Sequence, residues 1–409
     1  MSTSHPPLRG VRVLDLSRIL AGPWATQLLA DYGAEVIKVE RPGSGDDTRR
    51  WGPPFVEKAD GTAGDAAYFQ AANRNKQSVT IDFTTPDGAA LIKQLAAKSD
   101  ILVENYKLGG LQKYGLHYEA LAEVNPKLVY CSITGFGQYG PYAERPGYDF
   151  LIQAMGGMMS ITGQPDGVEG AEPMRAGVAI ADLFTGLYAT TGIMAALHHA
   201  QATGEGQHID ISLLDSQMAV LANQAMNYLV SGEAPGRIGN THPNIVPYQV
   251  FRTQNGHFIL AVGNDAQFEK FCAIAQLEEL ARDDRFATNA KRVENREALV
   301  ALLVPVLAAR TTEDWIETLE EAGVPCGPIR TIDQVLTDEH AAARDMVVRL
   351  PDAEGQPRAL VGNPVKFSET PVAYHRAPPA LGQSTEEVLS NLLALDANAI
   401  QALKDKNVI

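Results

Sequence analysis

The feature that most constrains this chain lies near its start. Val11-Arg-Val-Leu-Asp-Leu16 is a short apolar run of strand character, a helical pattern covers 24–32, and Glu35-Val-Ile-Lys-Val-Glu40 is a second such run. A strand, a helix and a strand in that order form a crossover, so the two strands lie parallel in a sheet covered on both faces. Similar runs recur at Ile101-Leu102-Val103 and Leu128-Val-Tyr-Cys-Ser-Ile133, with a helix-like segment at 86–97. The expected class is α/β: a Rossmann-like parallel sheet in a large domain, joined to a smaller α+β domain. Ligands of such sheets lie beyond the carboxyl ends of the strands, which here carry segments 17–23, 41–47, 105–107 and 134–137.

Further along, a long helix to about Ala200 leads through Thr203-Gly-Glu-Gly-Gln207 into strand His208-Ile-Asp-Ile-Ser212, then into a helix from Leu213 to about Val230. The domain expectation is 1–230 for the first part of the large domain, 231–247 as a linker rich in Gly, Pro and Asn, 248–324 for the small domain, and 325–409 for a return to the large one. The small domain should hold a strand pair around Asn255-Gly256 and helices containing 268–275 and 296–307. In the tail, Ser384-x-x-Glu387 has the form of a capping box.

Charge and cysteine content narrow the function. Lys and Arg number 34 against 49 Asp and Glu, a formal charge of -15, which disfavours nucleic acid and anionic lipid as partners. An anionic ligand must therefore be held by local cations. Cys131, Cys272 and Cys326 are scattered without CxxC spacing, which fits a reducing compartment. Residues 1–10 carry neither a secretory nor a transit pattern, so a cytoplasmic location is expected. The stretch 176–197 is low in charge but interrupted by Asp182, and reads as a buried helix instead of a membrane span.

There is no GxGxxG after the first strand and no GxxxxGK[ST], which disfavours dinucleotide and ATP chemistry. His198 and His199 are adjacent, so on a helix they point about 100° apart, and no His or Cys cluster has metal-ligand spacing. The unusual carboxylate is Asp182, set in otherwise uncharged surroundings between Gly177-Val-Ala-Ile-Ala181 and Leu183-Phe-Thr-Gly186. Asp is a favoured N-cap, and the same position stabilises an anion that could attack a thioester. Near strand ends lie Arg41, Arg49, Arg50, Arg74, Lys76, Lys107 and Lys113. Converging there, such groups could hold a pyrophosphate, and singly each reads as a solvated surface charge.

The strings Leu8-Arg-Gly-Val-Arg-Val-Leu-Asp15, Ala21-Gly-Pro23, Gly33-Ala-Glu-Val-Ile-Lys-Val-Glu-Arg-Pro-Gly-Ser-Gly-Asp46, Asn73-Arg-Asn-Lys76, Val103-Glu-Asn105, Gly323-Val-Pro-Cys-Gly-Pro328 and Ala380-Leu-Gly382 together resemble class III coenzyme A transferases across nearly the whole chain. The resemblance implies that Asp182 is the nucleophile. It also implies a CoA site formed by Leu20, Ala21, Arg41, Asn73, Arg74, Asn75, Lys76, Asn105, Tyr106, Lys107, Lys113, Thr134, Gly135, Phe136 and Gly137. Leu20, Lys113 and Thr134 depart from the residues of formyl-CoA transferase. His242-Pro-Asn-Ile-Val-Pro-Tyr248 stands where that enzyme has a glycine run.

The resemblance further implies an interlocked homodimer, acyl-CoA and a carboxylic acid as substrates, no resident cofactor or metal, and aspartyl anhydride and aspartyl-CoA thioester intermediates. Segment 148–163 is similar to the branch that uses succinyl-CoA and other dicarboxylic acids. The distal carboxylate of such a substrate needs a cation, for which Arg175 is the candidate. Two alternatives stand beside transfer. A racemase of the same superfamily needs a histidine where Gly147-Tyr148-Asp149 has a tyrosine, whose pKa near 10 makes a poor base. A non-catalytic CoA-binding protein would need the cations but not Asp182.

Overall fold

The structure is a computed structural model that describes residues 5–409; the first four residues, part of the start read above for targeting signals, lie outside it. The chain divides into two compact units, one formed by residues up to 158 with 175–232 and 339–409, the other by 159–174 and 233–338.

The large unit is built on six strands: β1 (Arg12–Asp15), β2 (Glu35–Glu40), β3 (Lys76–Thr80), β4 (Ile101–Glu104), β5 (Val129–Thr134) and β6 (Gln207–Ser212). Every neighbouring pair is parallel and the order is β3-β2-β1-β4-β5-β6, the doubly wound arrangement. Its direction reverses between β1 and β4, which opens a crevice beyond their carboxyl ends.

Alternation along the strands sorts side chains onto two faces. Val13, Val36, Ile101, Val103, Val129 and Cys131 share one core with α1 (Ala21–Asp31) and the 24-residue α4 (Ile180–Thr203). Leu14, Ile37, Leu102 and Tyr130 pack on the other with α2 (Pro86–Ala96) and with Val388, Leu389 and Val408 of the C-terminal segment. Helix α3 (Asp149–Met155) precedes α4. Helices α1 and α4 approach through small residues: a Cβ on Gly186 would lie 2.8 Å from the Ala21 carbonyl oxygen. Although α4 is long and apolar enough to cross a membrane, Ala181, Ala189, Ile193, Ala196, Leu197 and Ala200 bury it against the sheet.

Two local expectations are corrected. The helix read from Leu213 onward is divided into α5 (Leu213–Val220) and α6 (Ala222–Ser231), with Ala222 at φ 45° just past the break. Ser384 forms no capping box; its side chain makes no cap bond, and its buried N–H goes to the Ser78 carbonyl oxygen at 2.9 Å.

In the small unit, strands Tyr248–Arg252 and His257–Ala261 pair antiparallel around Asn255-Gly256, and Cys326–Pro328 adds a third strand. Phe258, Phe268, Phe271, Leu303 and Trp315 lie in its core.

Candidate active site

At the crevice, Asn105 ties the turn after β4 to the turn after β1. Its Oδ1 accepts the Arg18 N–H at 2.8 Å and its Nδ2 donates to the Arg18 carbonyl oxygen at 2.6 Å. The next residue, Ile19, sits at φ 72°, a region that β-branched residues avoid and that costs roughly 1–3 kcal/mol. Its N–H points to the Asp46 carboxylate at 3.2 Å. Asp46 is itself held by the fully buried Lys38 at 2.9 Å. Burial works against the Lys38 ammonium, but Asp46, Asp15 and Glu40 outweigh it and hold its pKa up to about 12. A buried ion network thus fixes the loop after β2, and Glu40 extends it through Arg49 to Asp65.

Above this floor lies a cleft of about 790 Å³ lined by Arg18, Arg41, Arg50, Tyr106, Lys107 and Lys113 among others. Arg18 and Arg50 face Asp47 at 3.0 and 3.8 Å. Arg41, Lys107 and Lys113 are exposed and have no acidic partner among the described residues. Although Glu40, Asp46, Asp47 and Asp82 also line the cleft, three cations without an ion-pair partner there could hold a polyanion of nucleotide size.

A second cavity of about 340 Å³ shares Arg18, Tyr106, Lys107 and Leu108 with that cleft and adds Leu20, Ala21, Asn105, Thr134, Gly135, Arg145, Tyr148 and Asp182. The cavity of the nucleophile candidate and the cationic cleft are therefore adjacent, with these four residues lining both. Asp182 lies in the first turn of α4 but is not its cap; Ala179 takes that place without a side-chain bond. Capping falls to Asp149, whose Oδ1 accepts the Ala181 N–H at 2.9 Å and whose Oδ2 accepts from Gln153 at 2.8 Å. Gln153 in turn accepts the Ala176 N–H at 2.9 Å, so α3 holds the approach to α4. Asp182 is 9% exposed as a residue, and no group among the described residues donates to its carboxyl. Burial first, and the Asp149 charge second, push its pKa up to about 7.

Of the residues expected at a CoA site, Leu20, Ala21, Arg41, Asn105, Tyr106, Lys107, Lys113, Thr134 and Gly135 line the two cavities. Asn105 and Thr134 spend their side chains internally, Thr134 Oγ1 accepting the Gly137 N–H at 2.9 Å. Phe136 is buried in the core, and neither it nor Gly137 lines either cavity.

Asn73 to Lys76 lie apart from the lining of both cavities. They lie at the amino end of β3, not at a carboxyl end, and their polar groups are spent inside the protein. Arg74 pairs with Asp31 at 2.5 Å, Asn75 bonds Asp31 and the backbone at 373–376, and Lys76 bonds Asp15, Asn73 and the Pro23 carbonyl oxygen. Arg49 is likewise enclosed by Glu40 and Asp65. Arg175 lies outside the lining of the Asp182 cavity; its guanidinium sits 5.5 Å from the Phe150 ring. Sequence reasoning assigned no role to Asp149 or Arg145. The signal available was the string Arg145-Pro-Gly-Tyr-Asp149 shortly after a strand end, where Pro and Gly mark a turn that can present polar groups.

Residues 8–385 match CoA-transferase family III. Over 98% of its length the chain is 51% identical to the succinate–glutarate CoA-transferase of Agrobacterium fabrum, covering 99% of that protein. It is 43% identical to the human succinyl-CoA:glutarate CoA-transferase over 98% of this chain and 90% of that one. A crystal structure of a CAIB/BAIF family protein from Brucella suis superposes with a TM-score of 0.82 at 50% identity, over 94% of this chain and 99% of that one. The crevice at the sheet reversal, the cationic cleft and the single carboxylate beyond it are thus carried by an enzyme fold, and the chain belongs to CoA-transferase family III.

Proposed function

We propose that this protein moves coenzyme A from succinyl-CoA or another dicarboxylyl-CoA to a carboxylic acid through covalent chemistry on Asp182. The observation that carries the reading is that the Asp182 cavity adjoins the cleft of Arg41, Lys107 and Lys113 and shares four lining residues with it. The names of the two relatives above, a succinate–glutarate and a succinyl-CoA:glutarate CoA-transferase, support the substrate class. The cations hold the phosphates, and the pantetheine arm runs past Leu20, Ala21 and Tyr106 toward Asp182. The ionised carboxylate attacks the thioester carbon and expels CoA thiolate, leaving an acyl-aspartyl anhydride. The thiolate attacks the aspartyl carbonyl and releases the donor acid, which gives aspartyl-CoA thioester. The acceptor carboxylate attacks that carbonyl, the thiolate leaves again, and its return to the acceptor acyl carbon frees Asp182. One thioester replaces another, so the cycle needs no external energy source.

A homodimer belongs to this reading. Phe184, Leu187 and Tyr188 on α4 and Met226, Tyr228, Leu229 and Val230 on α6 are 37–81% exposed, more apolar surface than two solvent-facing helices ordinarily present. Incubation with succinyl-CoA and hydroxylamine, followed by mass spectrometry, tests the chemistry. A hydroxamate on Asp182 is expected. An unmodified Asp182 under turnover, or α-proton exchange in deuterated water without CoA exchange, overturns the assignment.

A further inference from the structure

We propose that Arg145 is the group that reads the distal carboxylate of a dicarboxylic substrate; this rests on Asp182 being the residue that receives the acyl carbon. Three cations line the Asp182 cavity: Arg18, Lys107 and Arg145. Arg18 is engaged with Asp47 at 3.0 Å and lies 5.2 Å from the Tyr106 ring. Lys107 is shared with the larger cleft, where the phosphate charge of CoA collects. Arg145 lines the Asp182 cavity and not the larger cleft, so it sits toward the acyl end of the path and away from the nucleotide end.

Its surroundings suit carboxylate recognition. The guanidinium lies 4.1 Å from the centroid of the Tyr142 ring, a contact that holds the plane while leaving N–H edges to bond a carboxylate as a fork. No acidic side chain pairs with it among the described residues. The backbone beneath it is fixed: the Arg145 N–H bonds the Tyr142 carbonyl oxygen at 2.9 Å, and two residues on, Gly147 packs against Gly135 so closely that a Cβ on either would come within 2.6 Å of the other's Cα. From Gly147 the chain passes through Tyr148 to Asp149, which caps the helix carrying Asp182. One short segment thus couples the position of the cation to that of the nucleophile. A substrate with one carboxyl carbon at Asp182 and a second carboxylate a few bonds away would place the second charge within the same cavity. Arg175 has no such relation to the cavity.

Binding to an Asp182→Asn background, which blocks the anhydride step, separates recognition from turnover. Calorimetric titration with succinyl-CoA and with butyryl-CoA, a pair differing in the distal carboxylate, reads the role directly. Adding Arg145→Gln is expected to weaken succinyl-CoA roughly 10- to 100-fold, the range for a charge-assisted pair, while butyryl-CoA changes by less than about 3-fold. Equal weakening of both ligands, or of neither, overturns the proposal. Should the Gln variant not fold, Arg145→Lys decides in its place, since it keeps the charge and loses the fork: a fall confined to succinyl-CoA supports the role and an equal fall refutes it. The wild-type exchange assay is scored separately, so that loss of the transfer reading shows as absent exchange in the wild type, and loss of this proposal as unchanged ligand discrimination in the Arg145 variants.

Discussion

The Asp149 carboxylate accepts the backbone N–H of Ala181 at 2.9 Å, one residue before Asp182. The bond fixes the first turn of α4, while the charge that makes it disfavours a second anion beside it. Asp149→Asn keeps an oxygen acceptor and removes that charge. The Asp182 pKa is then expected to fall from about 7, so the acidic limb of the pH profile of kcat/KM moves to lower pH and the variant outpaces the wild type relative to its own plateau at pH 5–6. An unshifted limb would mean that burial alone sets the Asp182 acidity.

A carboxyl raised from 3.8 to about 7 binds its proton more tightly in the folded chain than in the unfolded one. Its effect on stability is therefore absent below the unfolded value and becomes a growing penalty as pH rises from about 4 to 7, constant beyond that. Asp182→Asn should relieve the penalty. Denaturant unfolding is expected to show the variant more stable than the wild type by on the order of 2–4 kcal/mol at pH 8, with the gain fading toward pH 4. A gain independent of pH would place its origin elsewhere.

The approach of Gly135 to Gly147 is a packing requirement that holds the active-site segments in place. A Cβ on Gly135 would lie 2.6 Å from the Gly147 Cα, backbone that cannot swing aside as a side chain can. Gly135→Ala is expected to lower stability by about 1–3 kcal/mol and to cut turnover at least 10-fold by displacing the segment from Arg145 to Asp149. Thermal unfolding and steady-state kinetics measure both, and a fully active variant would show that the segment's position does not matter.

These relationships also explain what could be read from the residues alone. Strands β1, β2, β4 and β5 are legible because burial on both faces makes them rich in Val, Ile and Leu, even with Lys38 buried inside β2. Strand β3, Lys76-Gln-Ser-Val-Thr80, lies at the edge of the sheet and reads as polar although largely buried, because ion pairs and hydrogen bonds replace apolar packing there: Lys76 bonds Asp15 at 3.1 Å and Ser78 bonds Glu40 at 2.6 Å. Missing that strand is what let Arg74 and Lys76 be grouped with the cations near strand ends. Asp182 was visible as a lone charge in an apolar stretch. Arg145 was not, since its place in the cavity depends on a glycine contact between segments that only folding brings together.

Arg41 and Arg74 separate a binding role from a structural one. Both are basic and both lie near strands of the same sheet, but Arg41 is exposed on the cleft wall, whereas Arg74 is buried against Asp31 at 2.5 Å and also donates to the Val361 carbonyl oxygen at 2.8 Å. Arg41→Ala removes a cation that, in the proposed site, meets phosphate in solvent contact. It is expected to raise the KM for acyl-CoA several-fold to 10-fold, to leave kcat and stability nearly unchanged, and to flatten the dependence of KM on ionic strength. Arg74→Ala leaves the Asp31 carboxylate buried without its strongest partner, which costs about 3–5 kcal/mol and loosens the C-terminal segment from α1. In protein that remains folded, its KM for acyl-CoA should match the wild type. If Arg74→Ala instead raised KM with unaltered stability, the residue would belong to the ligand site after all, and β3 would have to present it differently from the arrangement described here.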